Sequence, residues 1–207
     1  MKGVTVIAHP LVQHNLARLR EKDTPSPEFR RLLGEIACLM IYEATRSFAV
    51  KKISVQTPLA MARGFQLKRE VVLVPVLRAG LGMLDSILQL IPHARVGFIG
   101  LKREEATLKA QFYHKSFPKN LGDFEVVVID PMLATGGSAV AALDLLAGEG
   151  AKHMRLVNLV AAPAGIRTVQ EHHPRVPIFA AAVDQKLNER GFIVPGLGDA
   201  GDRLFGT

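Results

Sequence analysis

One stretch limits what this chain can fold into more than any other: Val126-Val127-Val128-Ile129-Asp130-Pro131-Met132-Leu133-Ala134-Thr135-Gly136-Gly137-Ser138. A β-branched run ends at a carboxylate, and a loop of small residues leads into an Ala/Leu-rich helical pattern over 137–147. An uninterrupted β-branched run suits a strand covered on both faces. A strand followed at once by a helix is half of a parallel crossover unit. The rest of the chain repeats this alternation. Strand-like runs at 4–8, 52–56, 70–76, 95–101, 124–129, 154–161 and 176–183 are interspersed with helical patterns at 10–21, 28–48, 80–90, 137–147 and 165–172. The pattern predicts an α/β fold with a mainly parallel sheet flanked by helices. With 207 residues, the expectation is a single domain over 1–207.

Two segments stand outside the alternation. Residues 102–120 read as a long charged connection, of the kind that often serves as a lid. Residues 188–207 hold Gly191, Gly196, Gly198, Gly201 and Gly206, too many for a helix, yet also Phe192, Ile193, Val194 and Leu197. A structured binding loop fits that mixture better than a frayed tail.

Composition removes several function classes. The single cysteine, Cys38, lies in an apolar helical run and excludes a disulfide framework or a cysteine-cluster metal site within the chain. The seven histidines do not pair at metal-ligand spacing. No apolar run reaches membrane-span length and the first residues lack a signal-peptide pattern, so the expected location is cytoplasmic, with no membrane partner. Basic residues outnumber acidic ones 26 to 19, a net charge of +7, which serves either plain solubility or an anionic partner, nucleic acid or a small phosphorylated ligand. No basic run is interleaved with aromatics as a nucleic-acid platform would be. A small phosphorylated ligand fits better than nucleic acid.

The 126–138 stretch is suited to such a ligand. Open α/β sheets bind at the carboxyl ends of their strands. Small residues allow close backbone approach, and the unpartnered amides of a first helical turn attract phosphate. Thr135 and Ser138 add hydroxyl donors. Asp130 would repel a phosphate, so its natural partner is a vicinal diol that donates to it. A phosphate cradle beside a diol-reading carboxylate describes a ribose 5-phosphate. The stretch is neither a Walker A loop nor a dinucleotide fingerprint.

These residues resemble the phosphoribosyl pyrophosphate signature of the type I phosphoribosyltransferases. Most members have two adjacent acidic residues; here the second is Pro131, and Asp130-Pro131-Met132-Leu133-Ala134-Thr135-Gly136-Gly137-Ser138 is similar to the uracil phosphoribosyltransferases. Three more stretches carry the same likeness. They are Val74-Pro75-Val76-Leu77-Arg78-Ala79-Gly80-Leu81-Gly82, then Leu101-Lys102-Arg103 with the following segment, and Gly191-Phe192-Ile193-Val194-Pro195-Gly196-Leu197-Gly198-Asp199-Ala200-Gly201-Asp202-Arg203.

The resemblance implies the type I fold with a small hood built from the N- and C-terminal segments. It implies transfer of the phosphoribosyl group from 5-phospho-α-D-ribose 1-diphosphate (PRPP) to uracil, giving UMP and diphosphate in pyrimidine salvage. Arg78, Arg103, Asp130 and Asp199 are the implied catalytic set. PRPP would be held by Arg78, Arg103, Asp199 and the run Asp130, Pro131, Met132, Leu133, Ala134, Thr135, Gly136, Gly137 and Ser138. Uracil would be held by Ile193, Gly198, Asp199 and Ala200. Mg²⁺ is the implied cofactor, carried mainly by PRPP oxygens and water and not by protein ligands. Homo-oligomers and activation by GTP occur among relatives, and the residues leave both open. Two other classes also stay open: a regulator of this fold that binds RNA or DNA, and a purine-specific transferase.

Overall fold

The computed structural model describes residues 3–103 and 110–207, with the side chains of Arg103 and Ala110 outside that description. The chain opens with β1 (Val4–Val6), α1 (Pro10–Arg20) and α2 (Ser26–Ala44). Pro10 and Pro27 lie in the first turns of their helices, where a missing N–H costs nothing. Next come β2 (Val50–Gln56) and β3 (Met61–Leu67), paired antiparallel as a separate two-stranded sheet. The alternation proper follows: β4 (Val71–Leu77), α3 (Leu81–Leu90), β5 (Arg95–Val96), β6 (Phe98–Arg103) and β7 (Ala110–Ser116). Then come β8 (Glu125–Ile129), β9 (Met132–Leu133), α4 (Gly137–Gly148), β10 (His153–Ala161), α5 (Pro163–His172) and β11 (Ile178–Val183). The chain ends in β12 (Lys186–Leu187), β13 (Ile193–Val194) and α6 (Ala200–Phe205).

The main sheet runs β1-β11-β10-β8-β4-β6-β7, parallel throughout except for β7. Its central strands separate two apolar cores by simple alternation. Leu73, Val127, Ile129 and Val157 face α1, α2 and α3, against Leu16, Phe29, Leu33 and Ile87. Val72, Val74, Val126, Val128 and Leu156 face α4 and α5, against Leu143, Leu146, Ile166 and Val169. Burial on both faces is why these strands read as unbroken apolar runs. Each fully buried Leu or Ile contributes roughly 1.5–3 kcal/mol.

The topology sets the position of the site. From β4 the chain crosses to β6 on one side, and from β8 it crosses to β10 on the other. The helices after β4 and β8 accordingly pack on opposite faces. A crevice opens where they diverge, at the carboxyl ends of these two strands.

Two expectations need correction, and one element was not foreseen. The unforeseen element is β3, reached through a turn at Thr57–Ala60 closed by Thr57 N–H to Ala60 O at 3.0 Å. The connection at 102–120 contains β7, zipped onto β6; residues 104–109 of that expected lid lie outside the described residues. The Gly-rich terminus ends in the short helix α6. Asp199 caps it through Oδ1 at 3.0 Å from the Asp202 N–H, and the fully buried Leu204 anchors it.

Candidate functional site

Two adjoining hollows open at the crevice. The smaller, of about 60 Å³, is bordered by Asp130, Leu133, Ala134, Thr135, Gly136 and Ser138, with Met132 and Ala139. The larger, of about 260 Å³, is bordered by Ala79 after β4, by Asp130, Met132 and Ala134, and by Arg190–Ile193 and Gly198–Gly201 of the C-terminal segment. Asp130, Met132 and Ala134 border both.

The small hollow is the mouth of α4. Gly136 is its N-cap at φ +89° and has no side chain with which to satisfy the first-turn amides. The first helical bond, Val140 N–H to Gly136 O, leaves the preceding amides available to a ligand. The loop is pressed tightly against α5. A Cβ on Gly136 would lie 2.8 Å from Gly165 O, and one on Gly165 would lie 2.6 Å from Ala134 O. Only glycine at both places permits that approach.

Asp130 stands where the hollows meet. Its backbone is fixed on both sides: the N–H donates to Val157 O at 3.2 Å, and the fully buried Asn158 donates Nδ2–H to its carbonyl at 2.6 Å. Among the described residues the carboxylate accepts only a long bond, from the Met132 N–H at 3.4 Å. Surrounding protein disfavours its charge and pushes its pKa up to about 7, against the lowering effect of the Met132 amide. A carboxylate this poorly solvated favours any partner that donates hydrogen bonds to its ionised form.

The C-terminal segment is held over the larger hollow by side chains from distant parts of the chain. Arg20 grips Asp184 with two bonds, at 2.7 and 2.8 Å, and also donates to Gly196 O at 2.9 Å. Asp184 in turn accepts from the Gly196 N–H at 2.8 Å. Both polar groups of Gly196 are therefore fixed by one ion pair. Gly196 sits at φ +60°, where a Cβ would meet Ile193 O at 2.1 Å. Arg203 donates to Leu197 O and Glu21 O, and its guanidinium lies over the Phe29 ring. The end of α1 and the terminal segment thus form one hood, as the N- and C-terminal segments were expected to.

The structure gathers most of the expected site residues. Asp130, Met132, Leu133, Ala134, Thr135, Gly136 and Ser138 border the small hollow. Ile193, Gly198, Asp199 and Ala200 border the larger one. Pro131 is buried, with its carbonyl accepting from Val160 N–H, and Gly137 is exposed in the first turn of α4. One expected cation, Arg78, borders neither hollow. Arg78 points onto α6, where it pairs with Asp202 at 3.2 Å and lies over the Phe205 ring. Arg103 ends β6, and its side chain lies outside the described residues. The sequence reading missed Arg190 in the cleft and the Arg20–Asp184 pair, whose members are 164 residues apart. No local signal links those two.

Among the described residues no three His, Cys, Asp or Glu side chains converge to hold a metal ion. The acidic groups at the cleft, Asp130 and Asp199, suit a divalent ion that arrives with its own phosphate oxygens. Among the same residues no helix is long and apolar enough to cross a membrane.

Comparison with known proteins gives a consistent result. The sequence model of the uracil phosphoribosyltransferase family matches residues 6–207. The chain is 54% identical over 208 residues to a uracil phosphoribosyltransferase of Clostridium botulinum, covering both chains fully. It is 55% identical, again over both full lengths, to a uracil phosphoribosyltransferase of Symbiobacterium thermophilum. Among solved structures, the AQ2163 protein of Aquifex aeolicus superposes with a TM-score of 0.92 at 39% identity, over 98% of this chain and 97% of that one. A purine phosphoribosyltransferase of Pyrococcus horikoshii shares the fold alone, with a TM-score of 0.52 at 17% identity over 76% of this chain and 89% of that one.

Proposed function

The chain belongs to the uracil phosphoribosyltransferase family, and from that premise we propose how its residues transfer the phosphoribosyl group of PRPP to N1 of uracil, forming UMP and diphosphate. The observation that carries the reading is the junction of a small amide-lined hollow with a larger cleft at one carboxylate, Asp130. A ribose 5-phosphate needs an anion site, a diol acceptor and open space beyond, in that order.

In this reading the first-turn amides of α4, with Thr135 and Ser138, hold the 5-phosphate. Asp130 accepts from the ribose hydroxyls, which fixes the ring and aims the anomeric carbon into the cleft. Uracil stacks its donor and acceptors against the bent backbone at Ile193 and Gly198–Ala200, which would leave cytosine with unpaired groups. Asp199 uses Oδ1 to cap α6 and borders the cleft where the base proton is lost. Arg78 and Arg103 oppose the charge that builds on the departing diphosphate. Bound Mg²⁺ would supply further positive charge to that leaving group. For Arg78 this requires exchanging Asp202 for the diphosphate, an inexpensive step because both side chains are more than half or about half exposed.

The reading extends to a cytoplasmic enzyme that acts as a homo-oligomer. Support for self-association comes from the β2–β3 hairpin, in which every residue except Ile53, Thr57 and Gly64 is exposed. Leu59 at its tip is 96% exposed and Phe65 67%. An isolated two-stranded hairpin is marginal in water, so a second copy is the natural cover.

The test is turnover of labelled uracil with PRPP and Mg²⁺, beside cytosine, adenine and hypoxanthine, each with and without GTP. UMP from uracil alone is the expected result, and the GTP arm decides whether that nucleotide activates. Turnover of a purine base in place of uracil would refute the assignment of the C-terminal segment. RNA binding with no turnover of any base would refute the enzyme reading.

A further inference from the structure

We infer that Arg190 is a further substrate-binding residue, supplying the 5-phosphate with the cationic side chain that its cradle lacks; this rests on the phosphoribosyl reading above. A phosphate monoester carries close to two negative charges near neutrality. To an anion the small hollow offers amides and hydroxyls, and among the described residues no basic side chain borders it. Asp130 lies on its rim and Asp199 across the cleft, so the carboxylates nearby work against a dianion.

Among the described residues, Arg190 is the one basic side chain bordering the cleft. It sits in the turn between β12 and β13, which the Asn188 side chain shapes. Asn188 Oδ1 accepts from the Arg190 N–H at 3.0 Å and from the Phe192 N–H at 2.9 Å. The same turn is seated against the cradle: a Cβ on Gly191 would lie 3.9 Å from Thr135 Cγ2. An arginine stem starting one residue away has the length to cross that distance, and its planar fork matches two phosphate oxygens.

The other arginines near the hood are already engaged. Arg20 is locked to Asp184, Arg203 to two carbonyls, and Arg78 to Asp202. The Arg190 side chain is exposed and makes no hydrogen bond or ion pair among the described residues. The fold therefore places it at the cleft without assigning it a structural bond.

The test compares ligands that do and do not carry the 5-phosphate. Binding of UMP, ribose 5-phosphate, uridine and inorganic diphosphate is measured for the wild type, Arg190→Ala and Arg190→Lys. Arg190→Ala should weaken UMP and ribose 5-phosphate by about tenfold or more, the scale of one charge-assisted hydrogen bond. Uridine and diphosphate should stay within about twofold, since neither presents a 5-phosphate, and Arg190→Lys should recover part of the loss. Unchanged UMP and ribose 5-phosphate affinity in Arg190→Ala would overturn the inference, leaving a solvated side chain. Equal weakening of uridine would overturn it in favour of a disturbed hood, and equal weakening of diphosphate in favour of the opposite end of the donor. A wild-type chain that binds neither UMP nor ribose 5-phosphate would instead remove the phosphoribosyl reading on which the inference stands.

Discussion

The loop at 130–138 and the hood at 188–205 face each other across one cleft, and they are held in opposite ways. The loop is contiguous in sequence and fixed by backbone: ladder bonds to β10 on one side and the Gly136–Gly165 approach on the other. The hood is fixed by side chains from elsewhere, with Arg20 and Asp184 clamping Gly196 while Arg203 reaches Leu197 and Glu21. Backbone packing tolerates little change in shape. Side-chain clamps can be weakened in steps without moving the sheet. The loop should therefore fail abruptly on substitution and the hood gradually.

The largest effect should come from Gly136→Val. The new side chain would meet Gly165 O and Thr168 Cβ at 2.8 Å, on a backbone at φ +89°. Displacement of the loop by an ångström should lower kcat/KM for PRPP about 100-fold, read by steady-state kinetics. Wild-type kinetics would break the claim that backbone proximity shapes the loop.

Asp130→Asn should come next, lowering kcat/KM for PRPP by more than about tenfold through loss of the charged diol acceptor. It should also change the pH profile. The free carboxyl titrates at about 7, and a ribose diol bound as proposed would favour its ionised form. Donor binding should therefore tighten as pH rises through that value in the wild type, and Asn should flatten this limb. Stability runs the other way. With the folded pKa raised from 3.8 to about 7, the unliganded fold loses stability as pH climbs across that interval, and Asn should suppress the loss in thermal melts at a series of pH values.

Asp184→Ala tests the hood. It strands the Arg20 charge, 22% exposed, and frees the Gly196 amide, a loss of about 3 kcal/mol. Calorimetry should register a Tm drop of about 10 °C, by the usual scaling for a chain of this size. KM for uracil should rise about tenfold while ribose 5-phosphate binding to the loop stays within about twofold. Equal damage to both ligands would show that loop and hood are not independently held.

The smallest effect belongs to Asp202→Asn. It releases Arg78 from a pair in which the side chains are 57% and 50% exposed, worth at most about 1 kcal/mol. Diphosphate affinity should rise by no more than about fivefold in a competition assay. A fall would mean that Asp202 orients Arg78 rather than competing for it.

How much of this was legible beforehand divides along the same line. The loop was readable because strand end, carboxylate, glycines and helix start occupy consecutive positions. The central strands were readable because burial on both faces leaves a composition without polar interruptions. β3 was not, since Met61-Ala62-Arg63-Gly64-Phe65-Gln66-Leu67 is a weak strand sequence that forms by pairing with β2 around the Thr57 turn. β7 was hidden for a similar reason: Gln111, His114 and Lys115 read as loop until β6 supplies a partner edge. α6 contains Gly201 and opposes helix propensity, but capping by Asp199 and burial of Leu204 outweigh that cost.

By itself, then, the sequence determined the α/β alternation, the amide-lined loop with its carboxylate, and the residues on the hood that border the cleft. The alternation and the loop are encoded by neighbours along the chain, where spacing fixes geometry, while the hood residues were implied by the family resemblance. Only the tertiary structure decided that Arg20 would lock Asp184, that Arg78 would rest on Asp202, and that the Arg190 side chain would border the cleft with no hydrogen bond among the described residues. Those pairings join residues far apart in sequence. Long flexible side chains can reach many partners, and which one they meet depends on how the sheet and helices have already packed.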